Sequence, residues 1–323
     1  MLREPSTGAS FGPPAGPTVD GPGLCRLVRH RLEVCRGKEA TRACRTLRRD
    51  GDAIHERVPE VRALRNLVKH RLQEGGVAVG YWLTLPSPSV AEILGALPLD
   101  WLLVDLEHSP IGWETLEDML RALRGTSVVP LVRVPSGEAP VLKRALDRGP
   151  WGVVVPLVGS AEEARRVVAA CRYPPDGIRG VAGTRASGYG ATLPEYFSTW
   201  NREVLIACQV ETLQAVESVH EIAAVEGVDV LFVGPNDLSA NLQRWRDLES
   251  EDFRRAVDRV LDAARRYGKA AGVMCTGPED ALARVDQGFR FIALGSDARL
   301  LSGAAARATD AFRAGLRERG LGV

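Results

Sequence analysis

The chain has 323 residues, 45% of them hydrophobic, with 42 Lys and Arg against 41 Asp and Glu and a formal net charge of +1. That length suits one large barrel with an appendage or two ordinary domains, and the balanced charge removes any general electrostatic case for nucleic acid or an anionic membrane. No apolar run reaches the roughly 20 residues a membrane helix needs, and Cys25, Cys35, Cys44, Cys171, Cys208 and Cys275, lacking any CxxC pair, indicate reduced thiols of a cytoplasmic protein rather than a zinc cluster or a disulfide framework.

Residues 1 to about 24 are rich in Pro and Gly, with few large apolar groups to offset ordering entropy, and are expected to be disordered. They open Met1-Leu-Arg-Glu, without the apolar core of a secretion signal. From Leu24 to about Val61 the chain turns Arg-rich, with apolar residues interleaved, and reads as a helical extension or as a basic arm for an acidic partner. Residues 1–60 are therefore set apart from a folded domain over residues 61–323.

That domain starts with a helix from Val61 to Gln73 and a strand from Val77 to Leu85. A regular alternation follows. Helices are expected at Val90–Leu97, Glu114–Arg124, Pro140–Asp147 and Ala161–Cys171, and strands at Trp101–Asp105, Pro130–Val134 and Gly152–Val158. Between Ile178 and Trp200 the glycine-rich run breaks the rhythm, and a short strand, a long loop over the active face and a helix near Glu195 are expected. Strands at 204–210, 228–233, Ala270–Met274 and Phe289–Leu294 then alternate with helices at Leu213–Ala224, Phe253–Tyr267, Glu279–Val285 and Ser302–Leu316. Eight strands with intervening helices fit a (β/α)8 TIM barrel with an extra C-terminal helix. An open doubly wound sheet would instead gather its ligand groups at one switch point.

Chemistry collects where the strands stop. The run Trp101-Leu-Leu-Val ends in Asp105, Glu107 and His108, and three later strands end in Arg133, Glu211 and Asp237. Polar groups at the same end of successive parallel strands mark the active face of such a barrel. Glu211 and Asp237 end neighbouring strands, and two carboxylates without a His or Cys partner favour a hard cation such as Mg²⁺ or Mn²⁺. Asp237, just ahead of Leu-Ser-Ala-Asn, also reads as a helix N-cap. Arg133 offers a permanent charge and a planar fork for a carboxylate or a developing enolate. His108 and Asp147 have the residue types of an acid–base histidine and its orienting carboxylate.

The blocks Gly80-Tyr-Trp-Leu, Leu103-Val-Asp-Leu-Glu-His-Ser-Pro110, Val132-Arg-Val-Pro135, Arg172-Tyr-Pro-Pro-Asp-Gly-Ile-Arg-Gly180, Gln209-Val-Glu-Thr212 and Val233-Gly-Pro-Asn-Asp-Leu-Ser239 resemble the HpcH/HpaI aldolases, the metal-dependent class II pyruvate aldolases. The resemblance runs from about Val61 to the C-terminus. It implies a carbon–carbon lyase that cleaves a 4-hydroxy-2-oxo acid to pyruvate and an aldehyde and catalyses the reverse condensation. It also implies a homo-oligomer, commonly a hexamer built through exchanged C-terminal helices. By motif, Glu211 and Asp237 are the metal ligands, with Mg²⁺, Mn²⁺ or Co²⁺ as the ion. Arg133 steadies the pyruvate enolate, His108 is the acid–base histidine and Asp147 its partner. Trp82, Asp105, Gln209 and Asn236 line the pocket, and Arg185 is a loop arginine near the acceptor aldehyde. Leu106, where several members have Gly, and the Gly-Tyr-Gly insert after Ser187 depart from the pattern where acceptor shape is expected to be set. Two other readings stand beside this one. The same enolate would serve oxaloacetate decarboxylation coupled to carbon–carbon bond formation, and an idle barrel would act as a binding protein through its basic N-terminal arm.

Overall fold

A computed structural model describes residues 65–322, so the expected extension over residues 1–60, the basic arm included, lies outside the described residues. The described chain closes eight parallel strands into a barrel in sequence order. The strands are β1 (Ala78–Leu83), β2 (Trp101–Asp105), β3 (Val129–Arg133), β4 (Gly152–Val155), β5 (Leu205–Val210), β6 (Val230–Val233), β7 (Ala270–Met274) and β8 (Phe291–Ser296). Their Val, Leu, Ile and Ala runs are buried on both faces, as parallel strands between a filled interior and a helical ring must be.

Inside the barrel, Trp82, Trp101, Leu103, Leu131, Phe232 and Phe291 fill the space between strands. Trp101 stacks on Phe291 with centroids 4.4 Å apart. β1 clears Trp101 by carrying Gly80, where a Cβ would stand 2.1 Å from the Trp101 carbonyl oxygen. Any side chain at Gly80 would push the two strands apart. A second apolar layer lies between strands and helices.

The helices are α1 (Leu67–Gln73), α2 (Pro88–Gly95), α3 (Trp113–Ala122), α4 (Ala139–Leu146), α5 (Ala161–Cys171), α6 (Leu193–Glu203), α7 (Leu213–Glu217), α8 (Val219–Ala223), α9 (Pro235–Asn241), α10 (Glu251–Arg266), α11 (Pro278–Gln287) and α12 (Asp297–Glu318). α1 closes the end of the barrel where the strands begin, with Val68 and Leu72 packed into the interior. Lys69, buried beside them, donates to the Val204 carbonyl at 2.7 Å and pairs with Asp229 at 3.1 Å. α12 is different. Of its 22 residues only Asp297 is buried, so it extends from β8 as an appendage rather than packing into the ring. No described helix is long and apolar enough to cross a membrane.

Four expectations change. The helix expected over Leu213–Ala224 is two short helices broken at Ser218. The short helix α9, implied only by the reading of Asp237 as an N-cap, starts earlier: Gly234 is its N-cap, so Asp237 sits inside its first turn and does not cap it. The segment after Ile178 forms no strand, only a 3₁₀ turn at Arg185–Ser187 before α6. Nor does that segment cover the active face. α5 descends from the end of β4, so its C-terminus and everything between it and β5 lie at the end where strands begin. The amide of Ala186 confirms this by donating to the carbonyl of Asp147, the residue just past α4, at 3.2 Å.

Candidate active site

At the opposite end, where the strands finish, a cavity of about 270 Å³ is lined by Trp82, Asp105, His108, Arg133, Gln209, Asn236 and Asp237, with Thr84, Ser296 and Arg299 among the remaining residues. Its centre is Arg133. β2 and β3 are paired residue for residue so that Asp105 lies opposite Arg133. The carboxylate of Asp105 accepts from Arg133 Nε at 2.8 Å and Nη2 at 2.6 Å. Nη1 is 2.8 Å from Glu107 Oε2, an ion pair lacking hydrogen-bond alignment. Trp82 lies beneath, its ring centroid 4.2 Å from the guanidinium carbon. Two carboxylates and an aromatic face therefore fix a buried cation in one orientation.

The strand tip that carries His108 is tied down by the same Asp105, whose Oδ1 also accepts from the Glu107 amide at 3.0 Å and the His108 amide at 3.4 Å. The imidazole itself reaches outward, 66% exposed, with Glu107 Oε1 at 3.9 Å. Glu107, marked in the sequence only as a polar residue at a strand end, is thus a partner of both Arg133 and His108. Burial raises its pKa, against the pull of Arg133 and His108.

Glu211 sits deeper, 3% exposed. Its Oε1 accepts from the Leu157 amide at 2.9 Å and its Oε2 from Gln209 Nε2 at 2.7 Å. Leu157 holds that amide in place at φ 56°, a left-handed conformation that an L residue adopts only under constraint. Gly234 makes room on the other side, since a Cβ there would lie 2.5 Å from Glu211 Oε2. Burial pushes the Glu211 carboxyl up to about 7, with the Leu157 amide opposing and Asp237 and Glu107 adding to the rise. Asp237 is exposed at the start of α9.

This donor set fits a divalent cation. Three carboxylates crowd one another, and among the described residues Gln209 Oε1 is buried without a partner and no thiolate lines the cavity. Each ionised carboxylate oxygen retains a second lone pair beyond the hydrogen bond it accepts. Among the described residues no group of three or more His, Cys, Asp and Glu could hold a metal ion unaided. Glu211 and Asp237 would hold it as a pair, with water and substrate oxygens completing the shell.

Two expected site residues are elsewhere. Asp147 caps the C-terminus of α4, and because helices run antiparallel to strands it lies a barrel's height from His108. Its partner is Arg179, whose Nη2 donates to Oδ1 at 2.9 Å. Arg179 is itself buried among Tyr173, Tyr196 and Trp200, with its guanidinium carbon 4.7 Å from the Tyr173 ring centroid and 4.8 Å from that of Trp200. Arg185 lies at the same end, donating to the carbonyls of Arg148 and, at 2.9 Å, Leu120. It ties helix ends together and lines no part of the cavity. The Gly188-Tyr189-Gly190 insert accompanies it there. Conversely, Thr84, Ser296 and Arg299 line the cavity without having been foreseen. Strand β8 runs two residues beyond its expected end at Leu294, which brings Ser296 and the start of α12 to the rim.

Residues 78–304 match the family model described as HpcH/HpaI aldolase/citrate lyase. A protein of Klebsiella pneumoniae named 5-keto-4-deoxy-D-glucarate aldolase is 38% identical over 248 residues, covering 77% of this chain and 97% of the relative. A solved structure of an HpcH/HpaI aldolase/citrate lyase family protein from Burkholderia cenocepacia superposes with a TM-score of 0.74 at 37% identity, covering 77% of this chain and 99% of that one. An HpcH/HpaI aldolase from Desulfitobacterium hafniense gives a TM-score of 0.71 at 29% identity over 76% and 96% of the two chains.

Proposed function

The chain belongs to the HpcH/HpaI aldolase/citrate lyase family and is a carbon–carbon lyase; from that premise we propose that it cleaves a 4-hydroxy-2-oxo acid to pyruvate and an aldehyde, with Arg133, His108, Glu211 and Asp237 as its working residues. The observation that carries the proposal is the fixed guanidinium of Arg133 in one cavity with the Asp237 carboxylate, with Glu211 buried behind Gln209 and close enough to feel both charges. The keto-deoxy sugar acid in its relatives' name belongs to the same chemical class of substrate.

Cleavage removes the proton from the 4-hydroxyl, breaks the C3–C4 bond, and leaves the electron pair as an enolate that takes a proton at C3 to become the methyl group of pyruvate. Glu211 and Asp237 would hold a divalent cation, Mg²⁺, Mn²⁺ or Co²⁺, which would supply Lewis-acid stabilisation for the charge developing on the 2-oxo oxygen. Arg133 faces the same charge with a guanidinium that cannot lose its proton. His108, on its tethered strand tip, takes the hydroxyl proton and returns it in condensation. Trp82, Asp105, Gln209 and Asn236 shape the pyruvate end. Within one chain Asp147 cannot orient His108. In the homo-oligomer the family resemblance implies, only a second copy can bring an Asp147 to it.

Chelation tests this reading. Removing divalent ions should abolish pyruvate release from 4-hydroxy-2-oxo acids, Mn²⁺, Mg²⁺ or Co²⁺ should restore it, and Glu211→Gln should weaken Mn²⁺ binding read directly by calorimetry. Full activity after exhaustive chelation, or a lysine adduct trapped by borohydride, would overturn it.

A further inference from the structure

The charges lining the cavity are unevenly committed. Arg133 is neutralised twice over, by Asp105 and by Glu107. Arg299 lines the same cavity and has no ion pair or side-chain hydrogen bond with any described residue. Its backbone is nonetheless held firmly. Ser296, the N-cap of α12, accepts from the Arg299 amide at 3.4 Å. Next to it Asp297, 3% exposed, accepts from the Thr84 amide at 2.8 Å, the Thr84 hydroxyl at 2.7 Å and the Leu85 amide at 3.0 Å. The first turn of α12 is thereby clamped to the end of β1, and a free guanidinium stands on a fixed base.

The pyruvate half of the substrate is assigned to the Arg133 side of the cavity. What the lining leaves for the other half is Thr84, Ser296 and Arg299, and the one formal charge in that set is Arg299. A neutral aldehyde would leave this guanidinium to water. A carboxylate or phosphate would meet its planar fork with two charge-assisted hydrogen bonds.

Resting on the lyase reading above, we propose that Arg299 selects substrates whose aldehyde half carries an anionic group. It is a specificity residue for the acceptor, placed outside the machinery that handles the enolate.

The test uses the full chain loaded with Mn²⁺ and condenses pyruvate with a neutral aldehyde (glyceraldehyde), a carboxylated one (succinic semialdehyde) and a phosphorylated one (glyceraldehyde 3-phosphate). The quantity read is the ratio of kcat/KM for each anionic aldehyde over the neutral one. In the unaltered chain at least one ratio should exceed unity, and the larger identifies carboxylate or phosphate as the group recognised. Arg299→Gln should lower that ratio by about 10- to 100-fold, mainly through KM, the scale of hydrogen bonds to a charged group. Arg299→Lys, keeping the charge without the fork, should fall between. Ratios unchanged in Arg299→Gln, or no anionic preference in the unaltered chain, would overturn the proposal. Exchange of pyruvate methyl protons by the unaltered chain separates the two levels. Exchange without charge preference removes this proposal alone, whereas absence of both exchange and condensation removes the lyase reading and the proposal together.

Discussion

Asp105 and Arg133 face each other across β2 and β3 and share two hydrogen bonds, 2.8 and 2.6 Å long, in a site where both side chains are buried. The pair makes Arg133 a preorganised charge, which needs no reorganisation as an enolate forms. Arg133→Ala should therefore depress aldol cleavage, oxaloacetate decarboxylation and pyruvate methyl-proton exchange alike, each by roughly 10²–10³-fold. Arg133→Lys should rescue poorly, because an ammonium cannot bond Asp105 through a fork. Proton exchange at the normal rate in Arg133→Ala would remove Arg133 from the enolate site.

His108 stands apart from that pair, 66% exposed on a strand tip anchored through its amide. His108→Ala should slow cleavage by roughly 10²–10⁴-fold, the scale of a positioned acid–base group. Decarboxylation of oxaloacetate, which has no 4-hydroxyl proton to move, should suffer less. Equal losses in the two assays would show that His108 serves the enolate as well.

Asp147 supplies the counter-charge to Arg179, whose side chain is 0% exposed. Asp147→Ala leaves that guanidinium buried and unpaired, and should cost about 2–4 kcal/mol, the lower part of the usual range because Asp147 is 19% exposed. Thermal unfolding at matched concentration measures it. A melting temperature equal to that of the unaltered chain would show that water or the surrounding aromatic rings suffice.

Burial pushes the thiols of Cys171, Cys208 and Cys275 up to about 12. A raised thiol pKa favours the protonated form, so at pH 8 the reactive thiolate is on the order of 10⁻⁴ of each. Iodoacetamide should leave all three unmodified in the native protein and alkylate all three in guanidinium, as read by peptide mass spectrometry. Native-state labelling at any of them would mean that its shell opens readily.

How much of this was legible depended on whether chemistry marks a boundary. β2 ends where the apolar run meets Asp105, and α5 begins after Ser160, whose hydroxyl caps the Glu163 amide, so both were readable to the residue. α9 is seven residues long, too short to show helical periodicity, so the sequence marks it only by Asp237 as an N-cap and misplaces its start, which Pro235 in fact provides. The glycine-rich stretch around Arg185 was assigned to the wrong end of the barrel. Its composition spoke for a loop, but chain direction decides its location, and α5 runs down. The same geometry separates Asp147 from His108 within one chain. Its position one strand further round fixes its angle about the barrel axis, while chain direction sets its height. Arg299 carries no sequence signal of its place, because a strand ending at Leu294 would leave residues 296–299 off the active face, whereas β8 runs to Ser296.

One feature of the fold bears on protease digestion. α12 carries Leu300, Leu301 and Phe312 on a surface that no described residue covers, with Phe312 68% exposed. The same helix carries Arg299, Arg307, Arg313 and Arg317. In a solitary chain trypsin should trim this tail in successive cuts and leave the closed barrel standing. Survival of the helix through such a digest would then report that another molecule lies over it, and the peptide pattern would show where that cover begins.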